Sequence, residues 1–274
     1  MRLNDFRENV YSQCGQDGVV GKAFDILGVH TGYCVEFGAW DGQYLSNTRR
    51  WLETPRFGGC LIEADPGRFQ QLRLLYAARQ DITTVNSMVD THGVNSLDNI
   101  LARAGAPIDL DFLSIDIDSD DYHVWNSLQE FRPKLVLIET NPYIPFFVEY
   151  VQKPKLGRFP SGASVVSLYK LATLKGYRAL AYVGHDWLFV REDLYDQFDL
   201  DVTSCIGLFL EGTEIVHNGL LPHGEIIDLP TGPAASRSLN VNDFIRQALE
   251  EEFGSIMADQ FRVLTSPNDF KGLI

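Results

Sequence analysis

The stretch Tyr33-Cys34-Val35-Glu36-Phe37-Gly38-Ala39-Trp40-Asp41-Gly42 passes from a short apolar run of β type into a turn with two glycines and an acid. A run of this length bounded by glycine reads as a buried strand. Gly59-Cys60-Leu61-Ile62-Glu63 repeats the pattern and is followed by Asp65-Pro66, a cap and a first-position proline that start a helix. Strand signals continue at Ile82 to Val85, Phe112 to Ile117 and Leu135 to Glu139. Helical stripes lie between them, one capped by Ser96 and stopped near Gly105, another from about Asp120 to Phe131.

Upstream, residues 12–27 carry an apolar helical stripe, with Ser12 as the expected N-cap and Gly28 as the stop. Downstream, a proline-bearing loop leads to a helix from Ser164 to Lys175. Two last strands, Arg178 to Val183 and Trp187 to Val190, are separated only by Gly184-His185-Asp186 and are expected to form an antiparallel hairpin. Strands alternating with helices imply right-handed crossovers and a mainly parallel sheet covered on both faces. Beyond residue 200 the rhythm fails. Gly219 to Pro233 reads as loop and Asn242 to Phe253 as a single acidic helix. The expected division is a ligand-binding domain over 1–200 and a C-terminal elaboration over 201–274, a lid or a dimer contact.

The chain has 274 residues, 45% hydrophobic and 22% charged, the balance of an ordinary globular protein. Its 37 Asp+Glu against 23 Lys+Arg give a net charge of -14. Such a surface repels phosphate backbones and anionic membranes, so neither nucleic acid nor membrane is an expected partner. Cys14, Cys34, Cys60 and Cys205 show no paired spacing and are expected to be reduced and structural. Met1 to Asp5 lacks the apolar core of a signal peptide, and no apolar run reaches the roughly 20 residues of a membrane helix. A cytoplasmic protein is expected.

Open α/β sheets bind ligands outside the carboxyl ends of their strands. The loop after Phe37 lacks the G-x-G-x-x-G spacing, and Glu36 and Asp41 flank its glycines. A pyrophosphate prefers amides and a helix N-terminus to carboxylates. The acidic loop therefore suits a cationic or zwitterionic adenosine ligand, and S-adenosylmethionine fits that description. Glu63, closing the second strand, is placed to accept ribose hydroxyls.

With these features the chain resembles the FkbM-type family of class I S-adenosylmethionine-dependent methyltransferases. The resemblance rests on Ser12-Gln13, Gln16-Asp17, Val35 to Gly42, Leu45-Ser46-Asn47-Thr48, Gly59 to Glu63, Leu113 to Asp118, Ile138 to Pro142, Gly162-Ala163-Ser164 and Gly176-Tyr177. It covers about residues 11–195. Where the family's loop has asparagine, this chain has Trp40. The resemblance implies a Rossmann-like α/β fold with a seven-stranded sheet whose last hairpin is antiparallel, and methyl transfer to hydroxyls of sugars or secondary metabolites. Carried onto matching positions, it puts Glu36, Gly38 and Asp41 at the methionine end and Glu63 at the ribose. Asn86 and Ser87 fall near the adenine, and Gln13 and Gln16 over the cofactor.

Asp116-Ile117-Asp118-Ser119-Asp120-Asp121 places four acids in six positions at a strand mouth. Ser119 or Asp120 can cap the next helix, and acids suit its first turn. Asp116 and Asp118 alternate with Ile115 and Ile117, which puts them on one face. If the next strand is adjacent, Asp116, Glu139 and Asn141 converge, an oxygen set suited to Mg²⁺; Asp116 also borders the cofactor position. A metal there lowers the acceptor's pKa. Without it a general base is needed, and Asp118, His123 and His185 are the candidates. The leading expectation is an O-methyltransferase for a small-molecule acceptor. An N-methyltransferase with the same cofactor site, a catalytically silent Rossmann-like module and a dinucleotide oxidoreductase are the alternatives.

Overall fold

In the computed structural model, Gly32–Phe37 (β1) sends alternate side chains into two separate cores. The described residues are 1–142, 144–154, 162–217, 262–264 and 268–273. Val35 and Phe37 face one core, Cys34 the other, as the period of two along a strand requires. The same division holds for Phe57–Glu63 (β2), Ile82–Asn86 (β3), Phe112–Ile115 (β4) and Leu135–Glu139 (β5). Both faces are covered, which explains why these strands read as continuous apolar runs.

One core is closed by three helices, Gln16–Leu27 (α1), Arg49–Leu52 (α2) and Pro66–Leu75 (α3). The other is closed by Leu97–Ala104 (α4), Asp121–Ser127 (α5) and Val165–Leu174 (α6). Caps anticipated from the sequence are in place. Asp65 accepts from the Arg68 amide and Ser96 from Asn99; Ser164, expected as the first residue of its helix, is instead its cap and accepts from Ser167. Ser12 is not the cap of α1. The cap position is Gly15, in the left-handed region, and Ser12 instead accepts the Asp17 amide through its hydroxyl at 3.0 Å.

With Tyr177–Val183 (β7) and Asp186–Arg191 (β8), the main sheet has the order β3-β2-β1-β4-β5-β8-β7, and Val148–Glu149 (β6) lies outside it. The first five strands are parallel and β8 runs antiparallel between β5 and β7. This is the Rossmann-like seven-stranded arrangement expected from the sequence, antiparallel hairpin included. The order reverses between β1 and β4, so a crevice opens above their carboxyl ends. No helix among the described residues is long and apolar enough to cross a membrane, and all four cysteines are free thiols.

Two features were not anticipated. Cys205–His217 (α7) packs on β7, and Arg262–Val263 (β9) pairs antiparallel with β6. Cys205, Leu208, Leu264 and Leu273 belong to the same core cluster as β4 and β5. The expected loop at 219–233 and helix at 242–253 lie outside the described residues. The approach of α7 to β7 depends on Gly212, where a Cβ would collide with the Tyr182 carbonyl. Gly212→Ala is expected to cost about 2 kcal/mol and lower the thermal midpoint by roughly 4–8 °C. An unchanged midpoint would show that this contact does not hold α7.

Candidate functional site

A cleft of about 480 Å³ lies over the carboxyl ends of β1 to β4, at the point of strand-order reversal. Gln13, Glu36, Gly38, Glu63, Ser87, Asp116 and Asp118, seven of the residues singled out from the sequence, line it. Gly38 has φ 79°, and a Cβ there would collide with the Asp116 carbonyl. Glycine is thus what lets the β1 loop pass the end of β4.

Glu36 is buried and accepts from Ser46 Oγ at 2.7 Å, Thr48 Oγ1 at 2.7 Å and the Asn47 amide at 2.8 Å. Its carboxyl lies above its ordinary pKa because burial outweighs these bonds. It therefore borders the cleft and also anchors the loop that follows α1 and β1. Glu63 takes the amide of Trp40 on one oxygen and that of Asp65 on the other, both at 2.7 Å. One carboxylate thus ties the glycine loop to the entry of α3.

Several expected positions lie elsewhere. Asp41 turns onto the amides of Gln43 (2.9 Å) and Tyr44 (2.8 Å) and is not on the cleft wall; it shapes its own loop. Asn86 donates to the carbonyls of Glu63 (2.8 Å) and Ala64 (3.2 Å), tying β3 to β2 beside the cleft. Gln16 donates to Asp186 at 2.6 Å and accepts the Cys14 amide at 2.7 Å, so its amide is spent on the hairpin. Neither histidine lines the cleft. His123 Nε2 sits 2.6 Å from the Gln152 carbonyl, and the carbonyl of His185 accepts from the amide and hydroxyl of Thr140.

β4 ends at Ile115, not Ile117, so the alternation argument for Asp116 and Asp118 fails. Asp118 instead adopts φ 56°. The acids converge nonetheless: Asp116, Asp118 and Glu139 each bring a carboxylate oxygen within 4.8 Å of the others. Asn141, the third oxygen ligand expected from the sequence, is buried at the end of β5, its amide on the Ala163 carbonyl. Asp120, one of the two expected caps, holds the N-cap position of α5 but makes no side-chain capping bond there. Asp121 reaches back to the amides of Ile117 (2.8 Å) and Ser119 (2.9 Å) and holds the turn between strand and helix.

The sequence reading missed Asp186. It lies directly opposite Glu139 in the β5–β8 register and is buried. The sequence leaves Asp186 in the turn between the last two strands; in the structure it opens β8, and its partner is set by the β5–β8 register, between residues far apart in the chain. Burial and then the neighbouring acids push Glu139 up to about 10, and Asp116 well above its ordinary value. Burial pushes Asp121 and Asp186 to about 6, the latter restrained by Gln16. Like charges this close call for a proton or a cation between them.

Strain collects at the same place. Among the described residues, the non-glycine residues at positive φ are Trp40, Leu45 and Asp118, and all three line the cleft. Each such conformation costs on the order of 1–2 kcal/mol, and residues held this way cluster at functional sites.

No family model matches the chain, and no curated protein does. Solved structures that resemble it include the N-terminal domain of EvdMO1 in the presence of SAH and D-fucose, 11% identical, covering 64% of this chain and 82% of that one with a TM-score of 0.42. The CurJ carbon methyltransferase is also 11% identical, over 66% of this chain and 56% of that one, TM-score 0.42. A SAM-dependent methyltransferase from Aquifex aeolicus is 12% identical over 62% and 85%, TM-score 0.37. What the site can bind is read from its own residues.

Asp186 sets a pH dependence. Its folded pKa, about 6, lies above the unfolded value near 4, so the folded state holds its proton more tightly. The stability it contributes is full below about pH 4 and is lost as pH rises through about 6. Asp186→Asn removes that loss. Its thermal midpoint minus that of the wild type is expected to rise by on the order of 5 °C between pH 4 and 7. A flat difference would show that Asp186 is not held protonated.

Proposed function

We propose that this chain is an S-adenosylmethionine-dependent O-methyltransferase acting on a hydroxyl of a small molecule such as a sugar or secondary metabolite. The observation that carries the reading is the cleft at the β1–β4 reversal, where Gly38 brings backbone to the ligand space and Glu63 closes β2 on its wall. Each Glu63 oxygen accepts one amide and retains a lone pair for a ribose hydroxyl. Gln13, Glu36 and Ser87 line the same cleft, and we assign the first two to the methionine end and Ser87 to the adenine end. The lack of a third loop glycine and the acids around it speak against a dinucleotide.

The cofactor, when bound, supplies an electrophilic methyl on a sulfonium. The chain's part is to hold the acceptor oxygen in line with it and take up the hydroxyl proton. Asp118 is the candidate that lies on the cleft wall, whereas His123 and His185 lie off it. The donor set also fits Mg²⁺: Asp116, Asp118 and Glu139 supply hard oxygens, and their crowding is relieved by a divalent charge. Those residues would hold the ion, which would lower the pKa of an acceptor hydroxyl. The same acids disfavour amine methylation, because they stabilise the protonated amine that cannot attack.

Calorimetry tests the reading. S-adenosylhomocysteine is expected to bind with one-to-one stoichiometry and NAD not to bind. Glu63→Gln should weaken the former by about 1.5–3 kcal/mol, at least ten-fold. Binding of NAD, or of neither ligand, would sink it. For the metal, Asp116→Asn is expected to abolish a Mg²⁺-dependent rise in the thermal midpoint at pH 7.5. A rise equal to that of the wild type would exclude these acids as the ligands.

A further inference from the structure

Trp40 is out of keeping with its surroundings. A tryptophan at φ 49° is strained, and asparagine or glycine would occupy the position more easily. The ring does not repay that strain by joining a core, since 43% of the residue is exposed while Trp51, Trp125 and Trp187 are buried at 8% or less. It is nevertheless held firmly. The Trp40 amide donates to Glu63 at 2.7 Å, and the Arg68 guanidinium of α3 lies over the ring, 4.3 Å from its centroid. A ring with a cation on one face presents its other face or edge to what lies beside it, and Trp40 lines the cleft. Tyr44 and Met88, 67% and 75% exposed, line it too. Large apolar groups left open around an otherwise acidic cleft mark a surface that a flat apolar ligand would cover.

We propose that Trp40 is a specificity-determining residue that covers the nucleoside of the bound cofactor, its indole against the adenosine and Arg68 behind it. This rests on the cofactor reading above, because the acid that fixes the Trp40 amide is the one assigned to the ribose. The strained backbone places the side chain over that position instead of into the interior.

Trp40→Asn separates function from folding, because asparagine tolerates positive φ. Its thermal midpoint is expected to equal or exceed that of the wild type, while its affinity for S-adenosylhomocysteine falls at least five-fold by calorimetry. Trp40→Phe is expected to restore affinity to within about three-fold of the wild type. Indole emission gives a second readout, with Trp40→Phe as the control for the three buried tryptophans: S-adenosylhomocysteine is expected to change it saturably in the wild type and not in Trp40→Phe. Unchanged affinity in Trp40→Asn overturns the proposal while leaving the cofactor reading intact. So does an effect confined to the KM for the acceptor, which would move Trp40 to the acceptor side. Failure of the wild type to bind at all overturns the cofactor reading itself.

Discussion

Where Gly38 passes the carbonyl of Asp116, the ends of β1 and β4 come closer than any side chain allows. That approach lies at the reversal of strand order, where crossovers leave in opposite directions and a crevice must open. The constraints around it are consequences. The β1 loop can turn back over β2 only because Glu63 gathers the amides of Trp40 and Asp65, and the following loop is pinned by Glu36 through Ser46, Asn47 and Thr48. The end of β4 departs into the turn that Asp121 holds. Each acid that shapes the crevice also adds charge to it.

That crowding gives the site its chemistry. Asp116, Asp118 and Glu139 meet at one point, and Asp186 faces Glu139 from the hairpin. Burial raises the cost of ionising such groups, and mutual repulsion raises it again. The net charge of -14 is thus not spread evenly as a solubilising coat. Part of the acid is concentrated at strand ends, where burial and repulsion favour a held proton or a bound cation over free carboxylates.

The fold was legible because its signals are local. Alternation, caps at Asp65 and Ser96, and the short turn that joins the last two strands each depend on a few neighbouring residues. Two-sided burial was readable from the apolar runs themselves. The site was legible only in part. Glu63 could be put on the cleft wall because the strand it closes dictates where it stands. Asp41 and Asn86 could not, since short polar side chains in loops choose between ligand and nearby backbone, and here the backbone won. Asp186 was hidden because its role comes from register across β5, a contact between residues far apart in the chain. α7 was missed because its packing depends on a glycine opposite β7, which no periodicity announces.

The central claim is that the strand-end acids form a cation site beside an adenosine cleft. A crystal structure of the full chain soaked with S-adenosylhomocysteine and Mn²⁺ tests it most directly, manganese standing in for magnesium as an anomalous scatterer. The account predicts an anomalous peak bonded to Asp116, Asp118 and Glu139, and a ribose on Glu63. Nucleoside density elsewhere, or a cleft filled while those three acids hold no metal under saturating Mn²⁺, would contradict it.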